Sequence, residues 1–105
     1  MAKIPDRIAG IIREFVKELE HDRINVKHAV LFGSYAKGTY DEGSDIDIAI
    51  VSDDFEGRRL VDKGKIRRAT LRVSTILEPL PYRPEDFTTD DPFVREIIET
   101  GVAVI

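Results

Sequence analysis

The sequence contains no cysteine. The chain therefore cannot form disulfides, use a thiolate as a nucleophile, or hold zinc through sulfur. Long apolar runs are absent as well, since no stretch approaches the roughly 18–20 residues that a membrane-spanning helix needs. The first residues, MAKIPDRIAG, lack the long apolar core of a secretory signal. We therefore expect a cytoplasmic protein without a membrane span.

The composition is that of an ordered globular protein. Of the 105 residues, 42% are hydrophobic and 34% are charged, which suits one modest core. We expect a single domain over residues 1–105, because no repeat, low-complexity segment or linker divides the chain. The net charge of −4 argues against non-specific coating of nucleic acid.

Hydrophobic periodicity predicts alternating helices and strands in the order α-β-α-β-α-β-α. This order favours a small α/β (α+β) fold, with helices packed on a mixed sheet. The Pro79 and Pro81 pair is expected to stop the third strand. The predicted elements are a helix from Pro5, a strand at 26–32, a helix opened by Ser34, a strand at 44–52, a basic helix at 58–70, a strand at 71–80, a helix from Asp91 to Gly101, and a short edge strand in the tail VAVI.

Two acidic residues interrupt the second predicted strand, SDIDIAIVS. Because side chains at i and i+2 point to the same face of a strand, Asp45 and Asp47 should project side by side. Two neighbouring carboxylates repel each other unless a cation lies between them. Mg²⁺ binds oxygen ligands, typically one or two carboxylates together with water and substrate phosphates. The pair therefore indicates a magnesium site.

A glycine and a serine follow the first predicted strand. Gly33 allows the backbone to approach a ligand, and Ser34, at the start of a helix, presents N–H groups and a hydroxyl to an anion. A lone Gly-Ser is usually only a turn, and a lone Asp-x-Asp is usually a solvated strand edge. Their combination on neighbouring strands favours a phosphate-binding cradle that faces the carboxylate pair.

These residues form the pattern G-S-x-A-x-G, a short spacer, and S-D-x-D. The pattern resembles the nucleotidyltransferase signature of the DNA polymerase β superfamily. The short chain and the segment EPLPYRPEDF at 78–87 resemble its smallest members, the minimal nucleotidyltransferases, which are often paired with HEPN-domain proteins. The resemblance implies a polymerase β palm-like fold. The motif covers residues 33–47, and the order of elements agrees to about residue 87.

The resemblance also implies Mg²⁺-dependent transfer of a nucleoside monophosphate, AMP from ATP being favoured, to a hydroxyl of a protein or RNA. Asp45 and Asp47 would be the catalytic metal ligands, and Gly33 and Ser34 would bind the phosphates. Two further residues beside the motif, Lys37 and Ser44, are candidate nucleotide-binding residues, although a solvated lysine is an equally good interpretation of the first.

The superfamily usually has a third carboxylate on the next strand. Alignment on EPLPYRPEDF places Ser74 at that position, whereas Glu78 lies four residues further along the same predicted strand. A serine binds Mg²⁺ far more weakly than a carboxylate does. This alignment predicts a weak second metal site and low turnover, and it predicts that Ser74→Asp would raise activity.

Two functions remain open at this stage. One is an enzyme that modifies a partner, as the antitoxin-like member of a pair with a HEPN-domain protein. The alternative is a catalytically weak nucleotide-binding protein that neutralises a HEPN-domain protein by binding alone. Association with such a protein or with a second copy is expected through the segment Tyr82 to Phe93, which is predicted to be exposed. The basic residues at 58–68 are interpreted as a solvated helix face, with contact to nucleic acid or an acidic partner as the less favoured interpretation.

Overall fold

The computed structural model describes residues 4–105 and confirms the predicted fold class: four helices and a mixed sheet of four strands lie within these residues. The tail contributes the short fourth strand, as expected. The helices are α1 (Asp6–His21), α2 (Ser34–Lys37), α3 (Arg59–Val73) and α4 (Pro92–Thr100), and the strands are β1 (His28–Phe32), β2 (Ile46–Val51), β3 (Leu77–Tyr82) and β4 (Val102–Ala103).

The sheet has the strand order β3-β2-β1-β4. Strand β1 runs antiparallel to both β2 and β4, whereas β2 and β3 are parallel. Strand β2 is therefore central, and its residue Asp47 lies between Phe32 of β1 and Glu78 of β3. The parallel pair requires a crossover, which α3 provides.

The two faces of the sheet pack against different helices, and the alternation in β2 decides which residue points where. Ile46, Ile48 and Ile50 are fully buried in the larger core cluster, which includes residues of α1 and α3. Ala49 and Val51 point to the other face and pack with residues of α4. This alternation confirms the pattern read from the sequence. Asp47, the acidic residue of β2, belongs to the α4 face, whereas Asp45 lies just before the strand and not inside it as predicted.

Helix α4 begins and ends as the sequence predicts, whereas α1 begins at Asp6, one residue after the predicted start, with Pro5 as its N-cap. The apolar residues of α1 recur at helical spacing and are buried, with Phe15 and Leu19 completely inaccessible. The side chain of Asp91 caps α4 by accepting hydrogen bonds from the N–H groups of Phe93 and Val94, at 2.8 and 3.3 Å. Within the described part of the chain, no helix is long and apolar enough to cross a membrane.

The predicted strand at 71–80 is wrong in both its bounds. Helix α3 continues to Val73, and β3 runs from Leu77 to Tyr82. The segment is rich in β-prone residues, but tertiary contacts override this propensity. Arg72 in the last turn of α3 binds Glu18 of α1 and Asp22 directly after α1, at 2.6 and 2.9 Å, which supports the helix beyond residue 70.

Pro79 and Pro81 lie within β3 and do not stop it. The carbonyl groups of Ile76 and Tyr82 accept hydrogen bonds from the N–H groups of Ile46 in β2 and of Ser52 directly after it, at 2.7 and 3.0 Å. Because backbone groups alternate along a strand, the nitrogens of both prolines point away from β2, toward the free edge of the sheet. Proline is tolerated at such an edge because no ladder hydrogen bond is lost there.

The segment from Tyr82 to Phe93 is less exposed than expected. Tyr82 is buried and stacks obliquely on Phe87, with ring centroids 5.3 Å apart, in the smaller core cluster. Arg83 and Asp86 form a close ion pair of 2.7 Å within the segment. Only Phe93, which is 48% exposed, offers a large aromatic surface to a partner. The aromatic residues of this segment mainly complete the core.

Candidate active site

The candidate active site lies where β2 begins, on the α4 face of the sheet. Asp47 is the second residue of β2 and is partly buried, and Asp45 directly precedes the strand and is exposed. Further along the same face, Ala49 and Val51 are covered by α4. The acidic pair therefore occupies the part of this face that solvent reaches, which explains how a central strand accommodates two carboxylates.

Glu78 is the third acidic residue of the site, and Ser74 is not part of it. In the β2–β3 register, Glu78 lies directly opposite Asp47. Burial raises the pKa of Asp47, and the negative charges of Asp45 and Glu78 raise it further. Ser74 lies at the end of α3, where its hydroxyl accepts the N–H of Ile76 at 3.3 Å. The alignment that placed Ser74 at the third position was wrong because it assigned the end of α3 to the strand.

The helical spacing of Ile66, Ala69 and Val73 could have revealed this error. These apolar residues recur at i, i+3 and i+7, which continues the periodicity of α3 to Val73. A helix that extends to Val73 leaves Glu78 near the start of the following strand, in the same position as Asp47 in β2. The sequence therefore contained the signal, but the β-prone composition of the segment concealed it.

Gly33 lies beneath the carboxylate of Asp47. Its φ of +73° and ψ of −151° belong to a region that only glycine adopts readily. A Cβ atom at this position would overlap Asp47 Oδ2 and would lie 3.1 Å from Asp47 Cγ. Glycine is therefore needed both for the backbone conformation and for the space that Asp47 occupies. This close approach brings Gly33 and Asp47 together at one place in the fold.

The rest of the GSYAKG stretch forms the short helix α2. Tyr35 and Ala36 are buried, so they fix α2 against the core, and Gly38 ends it in the left-handed conformation with a φ of +77°. Ser34 is the first residue of α2 and lies directly after Gly33. The predicted phosphate-binding pair is thus held at the end of β1, next to the acidic residues of β2.

The other two predicted nucleotide-binding residues make contacts within the chain. Lys37 Nζ lies 3.5 Å from the carboxylate of Glu96 in α4, and both side chains are exposed. Ser44 Oγ accepts the N–H of Asp41 at 2.9 Å and so closes the turn that leads into β2. Lys37 lies next to the site, and its ion pair with Glu96 is exposed to solvent. The hydrogen bond of Ser44 holds the turn that precedes Asp45.

The donor set fits magnesium. Asp45, Asp47 and Glu78 supply only oxygen ligands, which Mg²⁺ prefers. Burial, together with the charges of Asp45 and Glu78, raises the pKa of Asp47, and a bound cation would favour its ionised form. Among residues 4–105, no three acidic or histidine side chains are already arranged as a complete metal site. Mg²⁺ commonly uses only one or two protein carboxylates, so Asp45 and Asp47 suffice when phosphate supplies further oxygens.

The fold and the site define a nucleotidyltransferase. The family model described as "Nucleotidyltransferase domain" matches residues 11–104, and the chain therefore belongs to this family. A solved structure described as that of a putative nucleotidyltransferase from Sulfolobus solfataricus has a similar fold, with a TM-score of 0.68. The similarity covers 92% of this chain and 78% of that chain at 19% sequence identity.

Three similar proteins come from Methanocaldococcus jannaschii, and each carries the name "Putative protein adenylyltransferase". The first, MJ0141, is 34% identical over 104 residues, which cover 92% of this chain and 98% of that protein. The second, MJ0604, is 55% identical over 47 residues, which cover 43% of this chain and 47% of that protein. The third, MJ1305, is 29% identical, with 91% of this chain and 69% of that protein covered.

Proposed function

We propose that this nucleotidyltransferase transfers AMP from ATP to a hydroxyl group of a partner protein in a Mg²⁺-dependent reaction. The main observation in its support is the position of Asp47, which lies in register with Glu78 and directly over Gly33. The names of the similar proteins support AMP as the transferred group and protein as the acceptor. A protein acceptor is favoured over RNA, which remained open from the sequence alone.

Each residue of the site has a role in this proposal. Asp45 and Asp47 hold Mg²⁺, which when bound neutralises charge on the phosphates and on the reacting oxygens. Gly33 and Ser34 bind the terminal phosphates through the backbone and the serine hydroxyl. The contact between Gly33 and Asp47 fixes the phosphate cradle relative to the metal ligands.

Glu78 is proposed to accept the proton of the attacking hydroxyl. The acceptor oxygen forms a bond to the α-phosphorus, the bond between that phosphorus and the bridging oxygen breaks, and pyrophosphate leaves. Glu78 is exposed at the start of β3, where a carboxylate can reach the hydroxyl of an approaching acceptor. The position of Glu78 opposite Asp47 is therefore suited to general-base catalysis.

Transfer of label from ATP to the product of an adjacent gene tests the proposal. Label from the α-phosphate should appear on the acceptor only with Mg²⁺, whereas label from the γ-phosphate should not appear. Asp47→Asn should abolish transfer, and Glu14→Gln, which removes an exposed charge from α1, should not. Transfer of the γ-label, or equal transfer by Asp47→Asn, would contradict the proposal.

The alternative of a weak enzyme that acts by binding alone loses its main support, because that interpretation depended on Ser74. Association with a HEPN-domain protein or with a second copy stays a prediction. Sedimentation of the protein alone and with the adjacent gene product tests it, and a strict monomer in both samples would contradict it.

A further inference from the structure

Helix α3 carries an apolar stripe that does not face the sheet. Leu60, Gly64, Arg67 and Leu71 recur at i, i+4, i+7 and i+11 and therefore share one side of the helix. Leu60 is 88% exposed and Leu71 is 60% exposed, although Ile66 of the same helix is buried in the core. An ordinary surface helix would carry polar residues at the exposed positions. The stripe is thus an apolar surface with no partner in residues 4–105.

The stripe forms one wall of a groove of about 590 Å³, which we call the α3–β3 groove. The opposite wall includes Glu78 and Pro79 of β3. A Cβ atom on Gly64 would meet nothing within 4 Å, so the groove has an open notch between the two leucines. Such a notch allows another helix to approach α3 closely. The groove also reaches the candidate active site, because Glu78 belongs to both.

The edge of β3 restricts what can bind in this groove. An extended peptide usually binds a free edge through backbone hydrogen bonds. Here Pro79 and Pro81 occupy the positions whose N–H groups would point outward, and proline has no N–H group. An added strand would lose these hydrogen bonds. An occupant that binds through its side chains, as a helix does, is therefore favoured.

The charge of the groove defines the chemistry of its occupant. Lys63 and Arg67 line the groove, and neither forms an ion pair with any of the residues that the structure describes. Both are thus free to pair with acidic side chains. The exposed leucines and the net charge of −4 disfavour RNA, which binds extended basic surfaces. Glu78 on the β3 wall is acidic, so only the α3 wall, where both cations lie, is complementary to an apolar stripe with acidic residues on its flank.

We propose that the α3–β3 groove docks an amphipathic, acidic helix of the acceptor protein. Apolar side chains of that helix would seat at Gly64 between Leu60 and Leu71, and its acidic side chains would pair with Lys63 and Arg67. The assignment to the acceptor rests on the proposed function, because Glu78 connects the groove to the transfer site. Docking itself requires neither nucleotide nor metal.

Binding of synthetic helical peptides to the full chain tests the docking without nucleotide or Mg²⁺. Fluorescence anisotropy should show that a peptide with a leucine stripe and glutamate flanks binds more tightly than its scrambled form, its lysine-flanked form, or a single-stranded RNA. The double variant Leu60→Glu/Leu71→Glu should weaken this binding by at least about tenfold, because it removes two exposed leucine side chains that the bound peptide would bury. Ile98→Glu, at an apolar residue of α4 that is 41% exposed, should leave it unchanged.

Several outcomes would overturn the docking proposal. The proposal fails if all peptides bind equally, if none binds, or if the RNA binds more tightly than the acidic peptide. It also fails if Ile98→Glu loses as much peptide affinity as Leu60→Glu/Leu71→Glu does. Self-association that Leu60→Glu/Leu71→Glu abolishes would identify a second copy as the occupant and would also refute it. Melting curves of both variants establish that they fold, as the exposure of the replaced residues predicts.

Transfer to the acceptor protein separates this proposal from the proposed function. Normal transfer by Leu60→Glu/Leu71→Glu would refute docking in the groove and leave the enzymatic function intact. Peptide binding by a protein that transfers nothing to any acceptor would refute the enzymatic function and leave the docking intact. Both proposals together predict that Asp47→Asn binds the peptide and does not transfer AMP.

Discussion

Replacement of Gly33 by alanine should lower the stability of the protein, both through backbone strain and through a clash with the carboxylate of Asp47. Alanine at φ +73° and ψ −151° costs about 1–3 kcal/mol in backbone strain. The new methyl group would also displace the carboxylate of Asp47, whose Cγ would lie only 3.1 Å away. We expect the free energy of unfolding to fall by the sum of the backbone strain energy and the cost of displacing this carboxylate. In a domain of this size, each kcal/mol corresponds to about 4–8 °C in Tm.

A double-mutant cycle separates the two contributions. Asp47→Ala removes the carboxylate, so Gly33→Ala should cost less in that background than in the wild type. The difference should be about 0.5–3 kcal/mol, the range for residues in contact. Urea unfolding without Mg²⁺ measures all four proteins, and Gly64→Ala is the matched control. Because Gly64 has open space around it, its replacement should stabilise the helix by about 0.5–1 kcal/mol.

The cycle can contradict the reasoning in two ways. Equal costs of Gly33→Ala in both backgrounds would show that the carboxylate of Asp47 does not lie over Gly33. A negligible cost in both would show that the backbone conformation at Gly33 is not the one described. In either case the proposed link between the phosphate cradle and the metal ligands would fail.

Further predictions concern the charges of the site. Asp47→Asn should stabilise the metal-free protein at pH 7 by about 0.2–1 kcal/mol, the range for a cross-strand pair. The pKa of Asp47 is raised in the folded state, so the free energy of unfolding of the wild type should fall as the pH rises from 3.8 through that pKa. Urea unfolding at several pH values should show this fall in the wild type, and the contribution of Asp47 to it should be absent from Asp47→Asn. Glu78→Gln should lower the transfer rate by about 100-fold or more in the label assay, whereas Ser74→Asp should not raise it. Glu96→Gln should release Lys37 and, by calorimetry, tighten triphosphate binding by about 1.5–5-fold; an unchanged affinity would remove Lys37 from the site.

The sequence predicted the fold class because strong local patterns encode it. The alternation of Ile46, Ile48 and Ile50 with Ala49 and Val51 assigned both faces of β2 correctly. The conformation of Gly33 and its contact with Asp47 depend on the antiparallel pairing of β1 with β2, which the sequence did not specify.

The third carboxylate was misassigned because a tertiary contact decides where α3 ends. The residues after position 70 favour a strand when considered alone, but Arg72 is held by Glu18 of α1 and by Asp22, which follows α1. Because α3 ends later than predicted, β3 also begins later. Ser74 therefore lies outside the sheet, and Glu78 is in register with Asp47. A local propensity argument could not include an interaction between residues more than fifty positions apart.

Asp47 is subject to one steric and one electrostatic constraint, and the chain itself relieves only the first. Gly33 relieves the steric constraint because it leaves room for the carboxylate. The electrostatic problem, caused by burial and by the charges of Asp45 and Glu78, has no such internal solution, because the pKa of Asp47 remains raised. Mg²⁺ should therefore stabilise the wild type and should not stabilise Asp47→Asn to the same extent. The strain in Gly33→Ala, in contrast, should persist at every Mg²⁺ concentration, so the two effects can be distinguished by unfolding measurements alone.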